Sequence, residues 1–196
     1  MTEGELKVYA ASHDVPIIKD EGLEFISSYI KSHGSKQILE IGTAIGYSAM
    51  KFAQIAGDIK VVSLECDIDR YIRAVQNVKN AGLSERITLF HADALTFEFP
   101  ENLKDSKFDL IFIDAAKAQY IKFFEKYKTV LAENGAIITD NLSFHGMVED
   151  LTLTHNYSTK KLVKKIRKFI DFLKCNSEFK TVFYKEGDGI GVSVRV

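Results

Sequence analysis

Residues 38–50, ILEIGTAIGYSAM, decide the fold. The stretch opens as an apolar run, Ile38-Leu39 then Ile41, as expected of a parallel strand buried on both faces. A small-residue turn follows, Gly42-Thr43-Ala44-Ile45-Gly46, and helical sequence begins at Tyr47. A buried strand, a Gly-assisted turn and a helix N-terminus in succession form a nucleotide-type cradle. Gly42 and Gly46 carry no Cβ, so the backbone there can approach a ligand closely. Ala44 stands where the dinucleotide fingerprint G-x-G-x-x-G has its second glycine, so the stretch is not that fingerprint. The bland alternative is a tight strand–helix turn with no ligand.

Outward from this stretch, apolar strands and amphipathic helices alternate. Helical spacing is weak over 1–12 and clearer over 19–33, with Pro16 breaking the pattern between them. Strands are expected at 37–41, 60–64, 87–90, 108–113 and 136–139, with helices at 47–55, 68–80 and 120–131. Asn134-Gly135 reads as the turn into the fifth strand, and 97–107 as a charged loop. Residues 142–157 are irregular, and a basic helix follows over 158–174. Two closing strands, 180–185 and 190–195, flank Gly187-Asp188-Gly189, a hairpin signal. Alternating strands and helices imply an α/β domain, a parallel sheet covered on both faces, with one antiparallel strand added by the hairpin.

With 196 residues and 46% hydrophobic content, the chain makes one domain with a large core. Within it, 1–35 reads as an N-terminal helical cap and 142–175 as a substrate-side loop and basic helix. No run approaches the ~18 apolar residues of a membrane span, and MTEGELKVYA is not a signal peptide. Cys66 and Cys175 have no metal-ligand spacing; they suit a reducing cytoplasm and read as ordinary buried or half-buried residues.

In an open parallel sheet, ligands bind beyond the carboxyl ends of the strands. Glu65, Asp93, Asp114 and Asp140 stand at four such ends. Glu65 is placed to accept ribose hydroxyls. Asp93 lies where an adenine amino group would, or is simply a helix N-cap. Asp114, Asp140 and Asn141 come from neighbouring strands and make an all-oxygen ligand set, suited to Mg²⁺, or to Mn²⁺ or Ca²⁺. Lys117, three residues past Asp114, would sit beside that cation and act as general base; the alternative is a surface lysine paired with an acid.

Together ILEIGTAIGYSA, Glu65, FDLIFIDAAKAQY (108–120) and GAIITDNL (135–142) resemble the divalent-metal-dependent, S-adenosylmethionine-using O-methyltransferases of the catechol and caffeoyl-coenzyme A group. Val15-Pro16-Ile17, the GTAIGYSA block, the spacing of Asp140, Asn141, Phe144, Gly146 and Val148, and the late Gly-Asp-Gly are most similar to the bacterial tRNA 5-hydroxyuridine methyltransferases. The resemblance implies a Rossmann-like class I methyltransferase fold with seven strands and a homodimer. It implies Asp114, Asp140 and Asn141 as metal ligands and Lys117 as the catalytic lysine. Ile18, Ser48, Glu65, Asp93 and Asp114 match cofactor-contacting positions, with Tyr47 and the Gly42 backbone against the methionine part.

A catechol chelates a metal through adjacent oxygens, and a 5-hydroxyuracil base offers the same pair in its O5 hydroxyl and O4 carbonyl. The surroundings must therefore choose between them. Residues 157–175 hold seven cations, Lys160, Lys161, Lys164, Lys165, Arg167, Lys168 and Lys174, against the single acid Asp171, in a chain of net charge −1. Phosphate binding explains the cluster, giving a tRNA wobble-uridine methyltransferase; a solvated helix face leaves a small-molecule catechol-type enzyme. Phe144 and His145 would stack on a base or line a phenolic pocket. The third reading is a non-catalytic or NAD-type nucleotide-binding domain, against which Ala44 and the metal set argue.

Overall fold

The structure, a computed structural model, describes residues 3–196. Its strands are β1 (Gln37–Ile41), β2 (Lys60–Glu65), β3 (Ile87–His91), β4 (Phe108–Ile113), β5 (Leu131–Thr139), β6 (Phe179–Tyr184) and β7 (Ile190–Arg195). They form one sheet in the order β3-β2-β1-β4-β5-β7-β6. The chain runs outward from β1 through β2 to β3, then returns to place β4 on the other side of β1. The crevice of the sheet therefore opens between β1 and β4, where Ile41 pairs with Ile113. The next residues out from that pair are Gly42 and Asp114.

Each strand alternates its apolar side chains between two helical layers. Ile38, Val61, Leu110, Phe112 and Ile138 face the layer of α1 (Glu3–Ser12), α2 (Asp20–His33), α3 (Tyr47–Ile55) and α4 (Ile68–Asn80). Leu39, Ile41, Ile111, Ile113 and Ile137 face α5 (Tyr120–Tyr127) and α6 (Tyr157–Lys174). Gly34, at φ 64°, ends α2 in the left-handed conformation, and Asp67 caps α4 by accepting from the backbone N–H groups of Asp69 and Arg70.

β7 slots between β5 and β6 and is antiparallel to both, with Thr139 opposite Gly191 and Val182 opposite Val192. It is the one antiparallel strand that the hairpin signal led us to expect. The expected 120–131 helix is shorter: α5 stops at Tyr127, a 3-10 turn covers Lys128–Val130, and β5 starts at Leu131. Leu131 already pairs with Phe108, and the register shifts before Leu110, so Asn134-Gly135 lies inside the strand instead of turning into it. A Cβ on Gly135 would sit 3.0 Å from the carbonyl oxygens of Phe108 and Asp109. The charged 97–107 segment contains one 3-10 turn, Glu101–Leu103. Both cysteines are free and exposed, which corrects the expectation of burial. No helix among the described residues is long and apolar enough to cross a membrane.

Candidate active site

The carboxyl ends of β1 and β4 frame a cavity of about 550 Å³, within the range of small-molecule sites. Ile18, Gly42, Tyr47, Ser48, Glu65, Asp93, Asp114, Lys117 and Asn141 all contribute to its wall, and so does Cys66. Gly42, at φ 104°, could carry no side chain: a Cβ there would lie 2.1 Å from the Asp114 carbonyl oxygen. Ala44 has φ 47° and Gly46 φ 82°, so the turn bends sharply before α3 begins. The Gly42 and Thr43 N–H groups both donate to the Leu64 carbonyl, which ties the turn to β2.

Glu65 holds this turn. One carboxylate oxygen accepts from the Ala44 N–H at 2.7 Å and the other from the Asp67 N–H at 2.9 Å. Each oxygen keeps further acceptor capacity for a ligand in the cavity. Ser48 donates at 2.5 Å to Glu40, a fully buried carboxylate on β1 that also accepts from Ser63. Burial lifts Glu40 to about 7, against the hydrogen bonds from Ser48 and Ser63. Tyr47 is buried and donates to Glu3 at 3.0 Å. Asp93 is exposed and accepts from the Leu95 N–H at 2.8 Å, so it caps a turn as well as edging the cavity.

Asp114 and Asp140 end neighbouring strands; the Asp114 N–H donates to Ile41 and the Asp140 N–H to Ile113. Asp140 is 2% exposed, and one of its oxygens accepts from the Asn141 N–H at 2.7 Å. Tyr120 fixes the same turn by donating to the Asp140 carbonyl at 3.0 Å. Asn141 itself sits at φ 64°, a conformation that asparagine tolerates better than most residues. Burial raises Asp140 to about 7, helped by the Asp114 charge. Burial likewise raises Asp114, opposed by Lys117 and aided by Asp188. Lys117 Nζ lies 5.7 Å from the centre of the Phe144 ring.

Among the described residues, no three His, Cys, Asp or Glu side chains converge as a metal set. The candidate set is two carboxyl groups and an amide, a hard oxygen donor set once the acids ionise. That chemistry fits a divalent cation with open positions for water or substrate.

Two carboxylates of this region escaped the sequence reading. Glu40 looked like an interruption of an apolar strand; a charged residue inside a buried strand was the available signal. Asp188 was read only as a turn residue. It is 6% exposed and accepts from the His145 N–H at 2.7 Å, across 43 positions of sequence.

A class I, S-adenosylmethionine-dependent methyltransferase is what this sheet order, turn and pair of strand-end acids define. The chain belongs to the O-methyltransferase family, whose model matches residues 5–196. It is 31% identical over 140 residues to a provisionally assigned caffeoyl-CoA O-methyltransferase of Arabidopsis thaliana, a match spanning 70% of this chain and 58% of that protein's length. It is 28% identical over 204 residues to the caffeoyl-CoA O-methyltransferase of Medicago sativa, covering 98% of this chain and 81% of that one. A provisionally assigned caffeoyl-CoA O-methyltransferase from Staphylococcus aureus superposes with a TM-score of 0.93 at 36% identity, over 100% of this chain and 93% of that one. An O-methyltransferase from Bacillus cereus, solved with S-adenosylhomocysteine, gives 0.79 at 25% identity over 99% and 90%.

Proposed function

We propose that the chain transfers the methyl group of S-adenosylmethionine to a phenolic hydroxyl of a small catechol-type substrate, with a divalent cation held by Asp114, Asp140 and Asn141. What supports this reading is that Asp114 and Asp140 end the neighbouring strands β4 and β5, with Asn141 next in the chain, and that Asp114, Lys117 and Asn141 line the cavity beside Gly42, Thr43 and Ala44. The caffeoyl-CoA substrates named for the plant relatives support a phenolic acceptor. A bound cation would supply a Lewis acid that lowers the pKa of a coordinating hydroxyl.

The protein's own residues would divide the remaining work. Glu65 accepts the ribose hydroxyls while holding the Ala44 N–H. Asp93 and Ile18 bound the adenine end, and Tyr47, Ser48 and the Gly42 backbone line the methionine end. With its charged form disfavoured beside a bound cation, Lys117 would take the phenolic proton on Nζ as the phenolic oxygen bonds to the methyl carbon and the S–CH₃ bond breaks, releasing S-adenosylhomocysteine. Placing both reactants in one pocket supplies proximity. Phe144 covers the acceptor ring.

A second reading, methylation of 5-hydroxyuridine in tRNA, rests on α6. Lys161, Lys164, Lys165 and Lys168 are all exposed, while Val163, Ile166, Phe169 and Leu173 are buried. The helix thus presents an exposed basic face. The two readings separate in one experiment: offer a caffeoyl ester and a 5-hydroxyuridine-containing tRNA to the purified protein with labelled S-adenosylmethionine. Label entering only the phenol supports the first reading; label entering only tRNA moves the assignment to the second. Sedimentation at working concentration tests the homodimer expected from the resemblance.

A further inference from the structure

Asp188 is a buried carboxylate with one oxygen left without a hydrogen-bond partner among the described residues. It sits at the tip of the β6–β7 hairpin between Gly187 and Gly189, and it is nine-tenths buried. One oxygen accepts from the His145 N–H at 2.7 Å and faces Lys19 Nζ at 3.6 Å. The other oxygen is buried with no hydrogen-bond partner; the nearest cationic candidate, His145 Nδ1, stands 3.7 Å away on an exposed ring. A buried acceptor left empty costs free energy unless something arrives to fill it.

The position is built rather than incidental. The Ser143 N–H donates to the Asp188 carbonyl at 2.8 Å and the Leu142 N–H to the Gly189 carbonyl at 2.9 Å. These bonds grip the chain directly after Asn141, through a segment where Asn141, Phe144 and His145 all have positive φ. A Cβ on Gly189 would lie 2.6 Å from the Ser143 nitrogen, and one on Gly187 would lie 3.1 Å from Gly22. The hairpin tip is therefore wedged between α2 and the turn that carries the candidate metal ligands. The Asp188 charge is felt at Asp114, Asp140 and Tyr120. Among the described residues, Asp188 does not join Asp114 and Asp140 in a three-acid metal set.

We propose that Asp188 is a positioning residue of the cation centre: it holds the turn bearing Asn141, adds negative charge that strengthens cation binding, and offers its free oxygen to a donor that arrives with the cation. The proposal rests on the metal centre of the preceding section. Residues beyond the direct ligands commonly shift metal affinity by roughly 10–100-fold.

The test is Mn²⁺ titration by calorimetry and by electron paramagnetic resonance, on the full chain with saturating S-adenosylhomocysteine. Asp188→Asn keeps an amide oxygen for the His145 N–H but removes the charge. It should weaken Mn²⁺ binding by roughly tenfold while S-adenosylhomocysteine affinity stays within about twofold. Lys19→Met removes the cation facing Asp188 and should tighten Mn²⁺ binding by about twofold or more. A purely scaffolding role predicts unchanged metal affinity in Asp188→Asn, and that result overturns the proposal. Should Asp188→Asn fail to fold, Lys19→Met decides, and unchanged or weaker Mn²⁺ binding overturns it. A parent protein that binds S-adenosylhomocysteine but no Mn²⁺ sinks the metal centre itself, and the proposal with it.

Discussion

Glu40 and Asp140 are both carboxylates raised to about 7 by burial, from ordinary values of 4.5 and 3.8. The folded chain holds these protons more tightly than the unfolded chain does. Their contribution to stability is therefore greatest below the unfolded values and is lost as pH rises toward 7. We expect the melting temperature of the ligand-free protein to fall between pH 5 and 7.5. Glu40→Gln should flatten that slope by roughly half and raise stability at pH 7.5 by on the order of 2 kcal/mol. A melting temperature that climbs across this window would show that the buried acids are not protonated. Lys117 makes a separate prediction. Lys117→Met should lower the rate of methyl transfer by roughly 10²–10⁴-fold, the usual worth of a positioned base, and leave S-adenosylhomocysteine affinity intact. Equal losses in cofactor affinity and rate would reassign the lysine to the cofactor.

The decisive element is the strand–turn–helix unit from β1 into α3. Gly42→Ala would drive a Cβ into the Asp114 carbonyl at 2.1 Å and strain a φ of 104°. Calorimetry should find S-adenosylhomocysteine binding weakened by more than about tenfold, since the β1–β4 crevice must part to admit the methyl group. Wild-type affinity would mean that the cofactor does not rest on this turn. Glu65→Ala removes the acceptor of two backbone N–H groups as well as any bond to ribose. Its cost in affinity should also be roughly tenfold or more. The limits of most elements were legible because their signals are local: Asp67 caps α4, and Gly34 stops α2. The start of β5 was not, because Leu131 is held as strand by Phe108 on β4, and Asn134-Gly135 is a turn signal overridden by that pairing.

At the scale of the whole molecule, sheet order gathers Glu65, Asp93 and Asp114 from three strand ends into one cavity and buries Asp140 on the next strand, while α6 gathers lysines elsewhere. The positions of Asp114 and Asp140 were readable because each directly follows an apolar strand. Asp188 was not, since nothing local says that a hairpin tip near the C-terminus folds onto the turn after β5. The lysine face was readable as charge but not as function. Reversing Lys161 and Lys165 to Glu should leave methylation of a small catechol unchanged and make the salt dependence of any tRNA binding shallower by about one log–log unit per lost phosphate contact. Catechol turnover that falls along with these charges would show that α6 serves the phenolic substrate.

The central claim is cation-assisted methyl transfer at Asp114, Asp140 and Asn141, and the most direct test is a paired measurement on Asp140→Asn and its parent. Methyl transfer from S-adenosylmethionine to a catechol is followed with Mg²⁺ and again in excess chelator, beside calorimetric binding of S-adenosylhomocysteine. We predict that the parent loses turnover in chelator, that Asp140→Asn has none in either condition, and that both keep S-adenosylhomocysteine affinity within about threefold. Full turnover by the parent in excess chelator, or by Asp140→Asn with Mg²⁺, would contradict the account.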